Sequence, residues 1–115
     1  MGQYWKPVNL DKKEFLHAHA LGDGLKLCEI AFSSNGVAAA LVMLLAPLPE
    51  RRGGGDPESH PLLGRWAGDR IVMVGDYSES ADFPGCPVDF GALYDSADYT
   101  DISALARDFL ARESK

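Results

Sequence analysis

The sequence has 115 residues, of which 46% are hydrophobic and 24% are charged, and its formal net charge at pH 7 is −6. This length suits one domain with a single core, and this composition is typical of a folded protein rather than a disordered chain. The longest apolar run, residues 37–46, is half of the ~20 residues that a membrane-spanning helix needs, and the first residues contain no apolar stretch typical of a secretory signal. We therefore expect a single cytoplasmic domain over residues 1–115.

The charges are distributed unevenly along the chain. Residues 1–75 contain equal numbers of acidic and basic residues, so the whole net charge of −6 arises from residues 76–115. Between Arg70 and Arg107 there is no Lys or Arg. An acidic half of this kind argues against direct binding to nucleic acid, because phosphate contacts require cationic side chains.

The N-terminal residues predict a β-hairpin. Residues 3–10 contain aromatic and β-branched residues and predict its first strand, in which Pro7 lacks an N–H and favours an edge or bulged position. Residues 14–19 predict the returning strand, with His17 and His19 on the same face. Two histidines so placed could begin a metal site, but no spacing fixes a third ligand, so we expect no metal.

A chain break at Gly22-Asp23-Gly24 predicts the start of a helix, with Asp23 as its N-cap. Apolar residues then recur at spacings of three and four, at Leu25, Cys28, Ala31 and Phe32. On this face Cys28 would be a structural thiol. We expect it and Cys86 to stay reduced, because neither belongs to a CxxC pair and nothing indicates export; whether they ever pair is left open.

The middle of the chain combines an apolar segment with a long loop. Residues 37–46 are apolar on every side and predict a buried element, either a short helix or a strand. Residues 47–64 contain four prolines and a triple glycine, and they predict a mobile loop longer than compact domains usually keep.

Two further elements complete the fold prediction. The apolar residues 71–74 predict a central strand buried on both faces. Residues 102–110 predict a helix capped by Thr100 or Asp101, with one apolar face formed by Ile102, Leu105, Ala106, Phe109 and Leu110. The sequence therefore predicts an α+β fold, in which two or three helices cover a small, mainly antiparallel sheet built from the N-terminal hairpin and the strand near 70–75.

Polar residues near the predicted central strand suggest one possible site. Asp69 and Asp76 bracket this strand, Tyr77 follows it, and His60 lies in the preceding loop. A pocket near these four residues would suit a small enzyme or a ligand-binding protein, because strand ends hold carboxylates rigidly. However, the two aspartates lie roughly 23 Å apart along the strand, and no known catalytic or cofactor motif occurs. An enzyme is therefore our alternative hypothesis, and we expect no cofactor.

The acidic segment suggests a different function. Seven acidic residues occur between positions 76 and 101 without a basic residue: Asp76, Glu79, Asp82, Asp89, Asp95, Asp98 and Asp101. An ordered acidic surface repels itself, so it either serves solubility or binds a cationic partner. Our first hypothesis is a protein-interaction module that binds a basic protein surface here, with Trp66 as an exposed anchor.

Five segments occur in order along the chain: MGQYWKPVNLDKKEFL, LGDGLKLCE, GGGD, GRWAGDRIVMVGDY and YTDI. Together they resemble a family of small uncharacterised proteins from actinobacterial and other bacterial genomes and from phages, and the fourth segment is the most specific. The resemblance implies a bacterial or phage protein, which as an interaction module could inhibit or modulate a host protein. It implies no catalytic residue, because the family has no established activity.

Overall fold

A four-stranded sheet forms the centre of the computed structural model, which describes residues 3–47, 53–79, 82 and 98–113. The strands are β1 (Trp5–Asn9), β2 (Glu14–Phe15), β3 (Ile71–Gly75) and β4 (Thr100–Asp101). Their spatial order is β3–β1–β2–β4. Strand β1 is antiparallel to both β2 and β3, whereas β2 and β4 are parallel. The predicted hairpin and the α+β class are confirmed.

Pro7 lies inside the sheet, so the prediction of an edge strand is wrong. The register places Pro7 opposite Met73 of β3, and its carbonyl accepts a hydrogen bond from the backbone N–H of Leu16 on the other side. In an antiparallel ladder the N–H and C=O of one residue face the same neighbour. The missing N–H therefore faces the chain just after β2 ends, where no further ladder bond is needed.

Strand β3 occupies an outer position in the described sheet, not the predicted central one. Val74 is buried, whereas Ile71, Val72 and Met73 are only half-buried. The run of apolar residues therefore marks a strand with apolar contacts on both faces, but it does not give the strand's place in the sheet.

The predicted second strand is shorter than expected. After Phe15 the chain enters a 3₁₀ turn, Ala18–Leu21, which ends at Gly22 in a left-handed conformation (φ 85°). The backbone N–H of Asp23 donates to the carbonyl of Ala18 at 2.9 Å and closes this turn. His17 and His19 consequently do not share a strand face, which corrects that prediction.

Three α-helices follow the 3₁₀ turn in the described chain: α1 (Leu27–Ala31), α2 (Val37–Leu44) and α3 (Ser103–Glu113). Residues 37–44 are thus helical, and the open choice between helix and strand is resolved. Helix α2 is not buried all round, because Val42 is exposed, as is Leu45 directly after the helix. None of the described helices has the length and apolar character needed to cross a membrane.

Helix α1 differs from its prediction. It has only five residues, and Ile30 is its buried residue, whereas Cys28 is exposed and Phe32 is 84% exposed. The predicted apolar face is therefore wrong, and with it the interpretation of Cys28 as a buried thiol. Cys86 lies outside the described residues.

The two faces of the sheet carry separate apolar clusters. The larger one lies between the sheet and the helices, and it includes Leu16, Leu44, Leu62, Trp66 and Phe109. The smaller one, on the opposite face, contains Val8, Leu10, Phe15 and Val74, with Tyr99 packed against it. The predicted apolar face is confirmed, since Ala106 and Phe109 of α3 are buried, as is Ile102 directly before the helix.

Candidate functional site

Trp66 is fully buried, so its prediction as an exposed anchor is wrong. It packs in the larger core cluster, and its indole N–H donates a hydrogen bond of 2.9 Å to Glu14 Oε1. A tryptophan can be buried in this way because its one donor finds an acceptor. The side chain therefore cannot contact a partner, and it serves the core.

Glu14 is the acceptor at the centre of this buried polar cluster. The guanidinium of Arg65 pairs with the same carboxylate, with its Nε 3.0 Å from Oε1 and its Nη2 bonded to Oε2. Burial disfavours the charged form of Glu14, but the hydrogen bonds from Arg65 and Trp66 outweigh it and hold the pKa of Glu14 below its usual value. Glu14, Arg65 and Trp66 thus stabilise the fold. Their spacing along the sequence gave no indication that they would be in contact.

The alternative site does not assemble. Asp69 accepts a hydrogen bond of 2.8 Å from the side chain of Asn9, which lies at one end of β1, whereas Asp76 lies next to Tyr4 at the other end. His60 lies against α3, its ring packed edge-on against Phe109 at 5.0 Å between centroids. The structure therefore does not bring Asp69, Asp76, Tyr77 and His60 to one pocket.

The structure does bring two tyrosines and three carboxylates to one end of β3. Tyr4 and Tyr77 are 45% and 62% exposed, and Asp76, Glu79 and Asp82 are exposed beside them along the chain. We call these five residues the tyrosine–carboxylate surface. Sequence reasoning identified its acids, but it did not find Tyr4, which only the pairing of β1 with β3 brings to Asp76.

Two reciprocal pairs of hydrogen bonds, each with one side-chain and one backbone acceptor, join residues of this surface. The N–H of Tyr4 donates to Asp76 Oδ1, and the N–H of Asp76 donates to the Tyr4 carbonyl, both at 2.9 Å. A second reciprocal pair joins Glu79 and Asp82, in which the Glu79 N–H donates to Asp82 Oδ2 and the Asp82 N–H donates to the Glu79 carbonyl. Hydrogen bonds to the backbone therefore hold Asp76 beside Tyr4 and Asp82 beside Glu79.

Ion pairs distinguish the carboxylates near the hairpin turn from those of the tyrosine–carboxylate surface. At the hairpin turn the carboxylates are neutralised, through the pairs Asp11–Arg70, Asp69–Lys12 and Glu14–Arg65. In the described residues, the carboxylates of the tyrosine–carboxylate surface form no ion pair. The negative charge that the sequence places after residue 75 is thus left uncompensated there.

The rest of the predicted acidic surface lies elsewhere or beyond the described residues. Asp101 belongs to β4, the outer strand opposite β3, and accepts hydrogen bonds from the N–H and hydroxyl of Ser103 at 2.8 and 2.5 Å. Asp98 is exposed just before β4. Asp89 and Asp95 lie outside the described residues. Among the described residues, Asp76 thus follows one outer strand of the sheet, whereas Asp101 belongs to the other.

Asp101 also has a basic neighbour. The side chain of Lys6 is buried, with its Nζ 4.7 Å from the centre of the Phe15 ring. Burial lowers the pKa of Lys6 to about 8, and the nearby charge of Asp101 opposes this shift. Because Lys6 offsets the charge of Asp101, we do not include the β4 end in the tyrosine–carboxylate surface.

His17 and His19, which could have begun a metal site, lie close together, with their ring centroids 5.6 Å apart. Burial and the charge of Lys6 lower the pKa of His17, and its buried Nδ1 makes no hydrogen bond with the described residues. In the part of the chain that the structure describes, no three His, Cys, Asp or Glu residues are grouped to hold a metal ion.

A cleft of about 480 Å³ lies where the 3₁₀ turn meets α3. Its lining comprises His19, Ala20, Leu21, Gly22, Asn35, Arg107, Leu110 and Ala111. Sequence reasoning missed this cleft because its walls come from segments separated by more than 70 residues, and no motif links them.

Comparison of the chain with protein-family models, curated proteins and solved structures finds no match. The family resemblance stated from the five sequence segments therefore stays a prediction.

Proposed function

We propose that this protein is a small interaction module that binds a basic surface of another protein through the tyrosine–carboxylate surface. The observation that supports the proposal is the combination of two exposed tyrosines with three carboxylates that form no ion pair within the described residues. A bacterial host protein is the class of partner that the resemblance to phage proteins favours. We propose a cytoplasmic location as well, because cysteines without a paired spacing are typical of reducing compartments.

The chemistry of the surface matches arginine better than any other partner group. A guanidinium can stack on a tyrosine ring and at the same time form two parallel hydrogen bonds with a carboxylate. Tyrosine and arginine are also the residues that most often dominate the energy of protein interfaces. Tyr77 and Glu79, which lie two positions apart, therefore suit a partner with exposed arginines.

Order in the free protein favours binding. The hydrogen bonds between Tyr4 and Asp76 fix the backbone at the end of β3, and the N–H of Tyr77 is bonded to the side chain of Gln3 at 3.3 Å. Because the backbone is already fixed, less conformational entropy is lost when a partner binds. Complementary charge would mainly raise the association rate, and added salt would reduce this effect.

The proposal can be tested with a hexa-arginine peptide as the probe. We expect titration followed by NMR to shift the backbone amides of Tyr4 and of residues 76–79, with binding that weakens as salt is added. Glu79→Lys should lower the affinity at least ~10-fold, because it replaces an attractive charge by a repulsive one. The matched control is Glu58→Lys, which changes the same charge at an exposed position of the loop and should have a small effect.

A second pair of variants tests the aromatic contribution. Tyr77→Ala should weaken binding of the peptide, whereas Phe32→Ala, at the more exposed aromatic residue beyond α1, should not. Equal losses for Glu79→Lys and Glu58→Lys would show that the peptide only senses net charge. That result, or amide shifts spread over all acidic residues, would contradict the proposal and indicate that the acids serve solubility.

A further inference from the structure

The cleft between the 3₁₀ turn and α3 has apolar walls. Leu21 is buried and Leu110 is half-buried, and Ala20 and Ala111 extend the apolar lining towards the rim. The 3₁₀ turn is closed by the hydrogen bond from Asp23 N–H to Ala18, and α3 packs against it. A volume of about 480 Å³ falls within the range of sites that hold small organic molecules.

Three polar side chains line the same cleft: His19, Asn35 and Arg107. All three are exposed, and within the described residues none of their side chains forms a hydrogen bond or an ion pair. Arg65 and Arg70, in contrast, are each paired with a carboxylate of the protein. The cleft thus brings together hydrogen-bond donors that the described fold itself does not use.

We propose that this cleft binds a small molecule that carries one carboxylate on an apolar body. The guanidinium of Arg107 would pair with the carboxylate, and the amide of Asn35 and a ring N–H of His19 can donate to it. The apolar body would lie against Leu21 and Leu110. This is a second binding site, separate from the tyrosine–carboxylate surface and independent of its function.

The lining selects the charge of the ligand. No Asp or Glu lines the cleft, so nothing there would compensate a cationic group. Arg107 supplies a single permanent positive charge, which matches a monocarboxylate better than a doubly charged phosphate monoester. The net charge of −6 adds to this preference, because the field of an acidic protein repels a dianion more than a monoanion.

Three probes with the same eight-carbon chain separate the contributions of charge and apolar contact: octanoate, 1-octanol and octyl phosphate. In NMR titrations we expect octanoate to shift the amides of residues 19–22 and 107–111. It should bind at least ~10-fold more tightly than octanol, since the charged hydrogen bonds to Arg107 are absent for the alcohol. Octyl phosphate should bind more weakly than octanoate.

Variants of α3 provide the matched controls. Arg107→Gln should weaken binding of octanoate at least ~10-fold and leave binding of octanol unchanged. Arg112→Gln changes the same charge on the same helix at an exposed position outside the cleft, and it should bind octanoate like the unaltered protein. Ala111→Phe places a bulky ring at the exposed rim and should reduce binding of both probes without lowering the melting temperature.

Several results would overturn the proposal. Equal affinities for octanoate and octanol would show that the cleft only takes up apolar groups, and tighter binding of octyl phosphate would assign it to phosphate monoesters. Equal losses in Arg107→Gln and Arg112→Gln would point to unspecific charge attraction, and absence of any shift in the cleft would exclude this ligand class. Binding of hexa-arginine should be the same in Arg107→Gln, so the two sites can fail separately.

Discussion

Glu14 shows how a single charged side chain can be kept inside this fold. Only 6% of its surface is exposed, yet the N–H groups of Arg65 and Trp66 satisfy both carboxylate oxygens. An ionised carboxylate without such donors would be costly to bury, because it loses its hydration. The donors come from the segment before β3, some fifty residues away along the chain, so the cluster attaches this segment to the hairpin.

We expect Glu14→Gln to destabilise the protein by about 2–4 kcal/mol at neutral pH. The glutamine keeps the size of the side chain, but it removes the charge that pairs with Arg65 and replaces one acceptor oxygen by a donor NH₂. Part of the guanidinium remains solvated, since 37% of the Arg65 side chain is exposed, and this limits the loss. Urea denaturation measures the change, with the exposed Glu58→Gln as a control that should stay within ~0.5 kcal/mol of the unaltered protein.

Comparison of the unaltered protein with Glu14→Gln also gives a prediction about the pH dependence of stability. Because the pKa of Glu14 is held below the ordinary 4.5, its carboxylate contributes its full stabilisation above that pH. Below pH 4.5 the unfolded state takes up the proton more readily than the native state, so the contribution is lost as the pH falls. The difference in unfolding free energy between the unaltered protein and Glu14→Gln should therefore shrink with acidification. A difference that stays constant through this range would contradict the assigned role of Glu14.

At the scale of the elements, the spacing of apolar residues predicted those strands and helices whose formation depends on residues close together in the sequence. The first strand, the strand at 71–75 and helix α3 follow from such patterns, and the apolar face of α3 is correct in detail. The order of the strands in the sheet could not be predicted. Pro7 suggested an edge strand, but it is tolerated inside the sheet because β2 ends beside it, and no local pattern shows where β2 ends. For the candidate sites, the acids near β3 were visible in the sequence, but the cleft with Arg107 depends on long-range packing.

Asp23 caps α2 and not α1, for which the sequence predicted it as the N-cap. Its carboxylate does not cap α1, because its Oδ2 accepts the backbone N–H of Val37, the first residue of α2, at 2.8 Å. Gly36 makes this approach possible: a Cβ at that position would lie 2.1 Å from Asp23 Oδ1. The loop before α1 and the start of α2 are therefore joined by one buried hydrogen bond.

We expect Asp23→Ala to cost about 1–2 kcal/mol, because it leaves the buried N–H of Val37 without its acceptor. Gly36→Ala should also destabilise the protein, since its methyl group would displace the Asp23 carboxylate from the same N–H. The two changes remove one interaction, so the double variant should lose less than the sum of the single variants. Urea denaturation of all four proteins measures this coupling, and additive losses would show that Gly36 does not serve the cap.

At the scale of the whole molecule, charge is segregated along the sheet. The three ion pairs at the hairpin turn join residues 51 to 59 positions apart, and they neutralise the end of the sheet opposite the tyrosine–carboxylate surface. The formal charges, summed over residues 1–75 and 76–115, showed which part of the chain is acidic. They could not predict which acids have partners, because that depends on how β3 returns beside β1.

The predicted mobile loop, residues 47–64, also divides into parts in the three-dimensional structure. Leu62 is fully buried in the larger core cluster, and the N–H of Gly64 donates to the carbonyl of Met43 at 3.0 Å. Residues 53–56, in contrast, are exposed, and the hydrogen bonds of Gly53 and Asp56 only join these two residues. The end of the segment therefore belongs to the core, while mobility of the remainder stays a prediction.

This division predicts opposite outcomes for two changes within one loop. Deletion of residues 53–56 should leave the melting temperature within a few degrees, because it removes no contact with the core and loop-closure entropy changes slowly with length. Leu62→Ala should cost about 2–5 kcal/mol, since it leaves a cavity in the larger core cluster. At about 4 °C or more per kcal/mol, thermal denaturation resolves the two changes readily. If the deletion unfolds the protein as Leu62→Ala does, residues 53–56 hold the loop in a conformation that the core requires, and the division between residues 53–56 and the buried end of the loop is wrong.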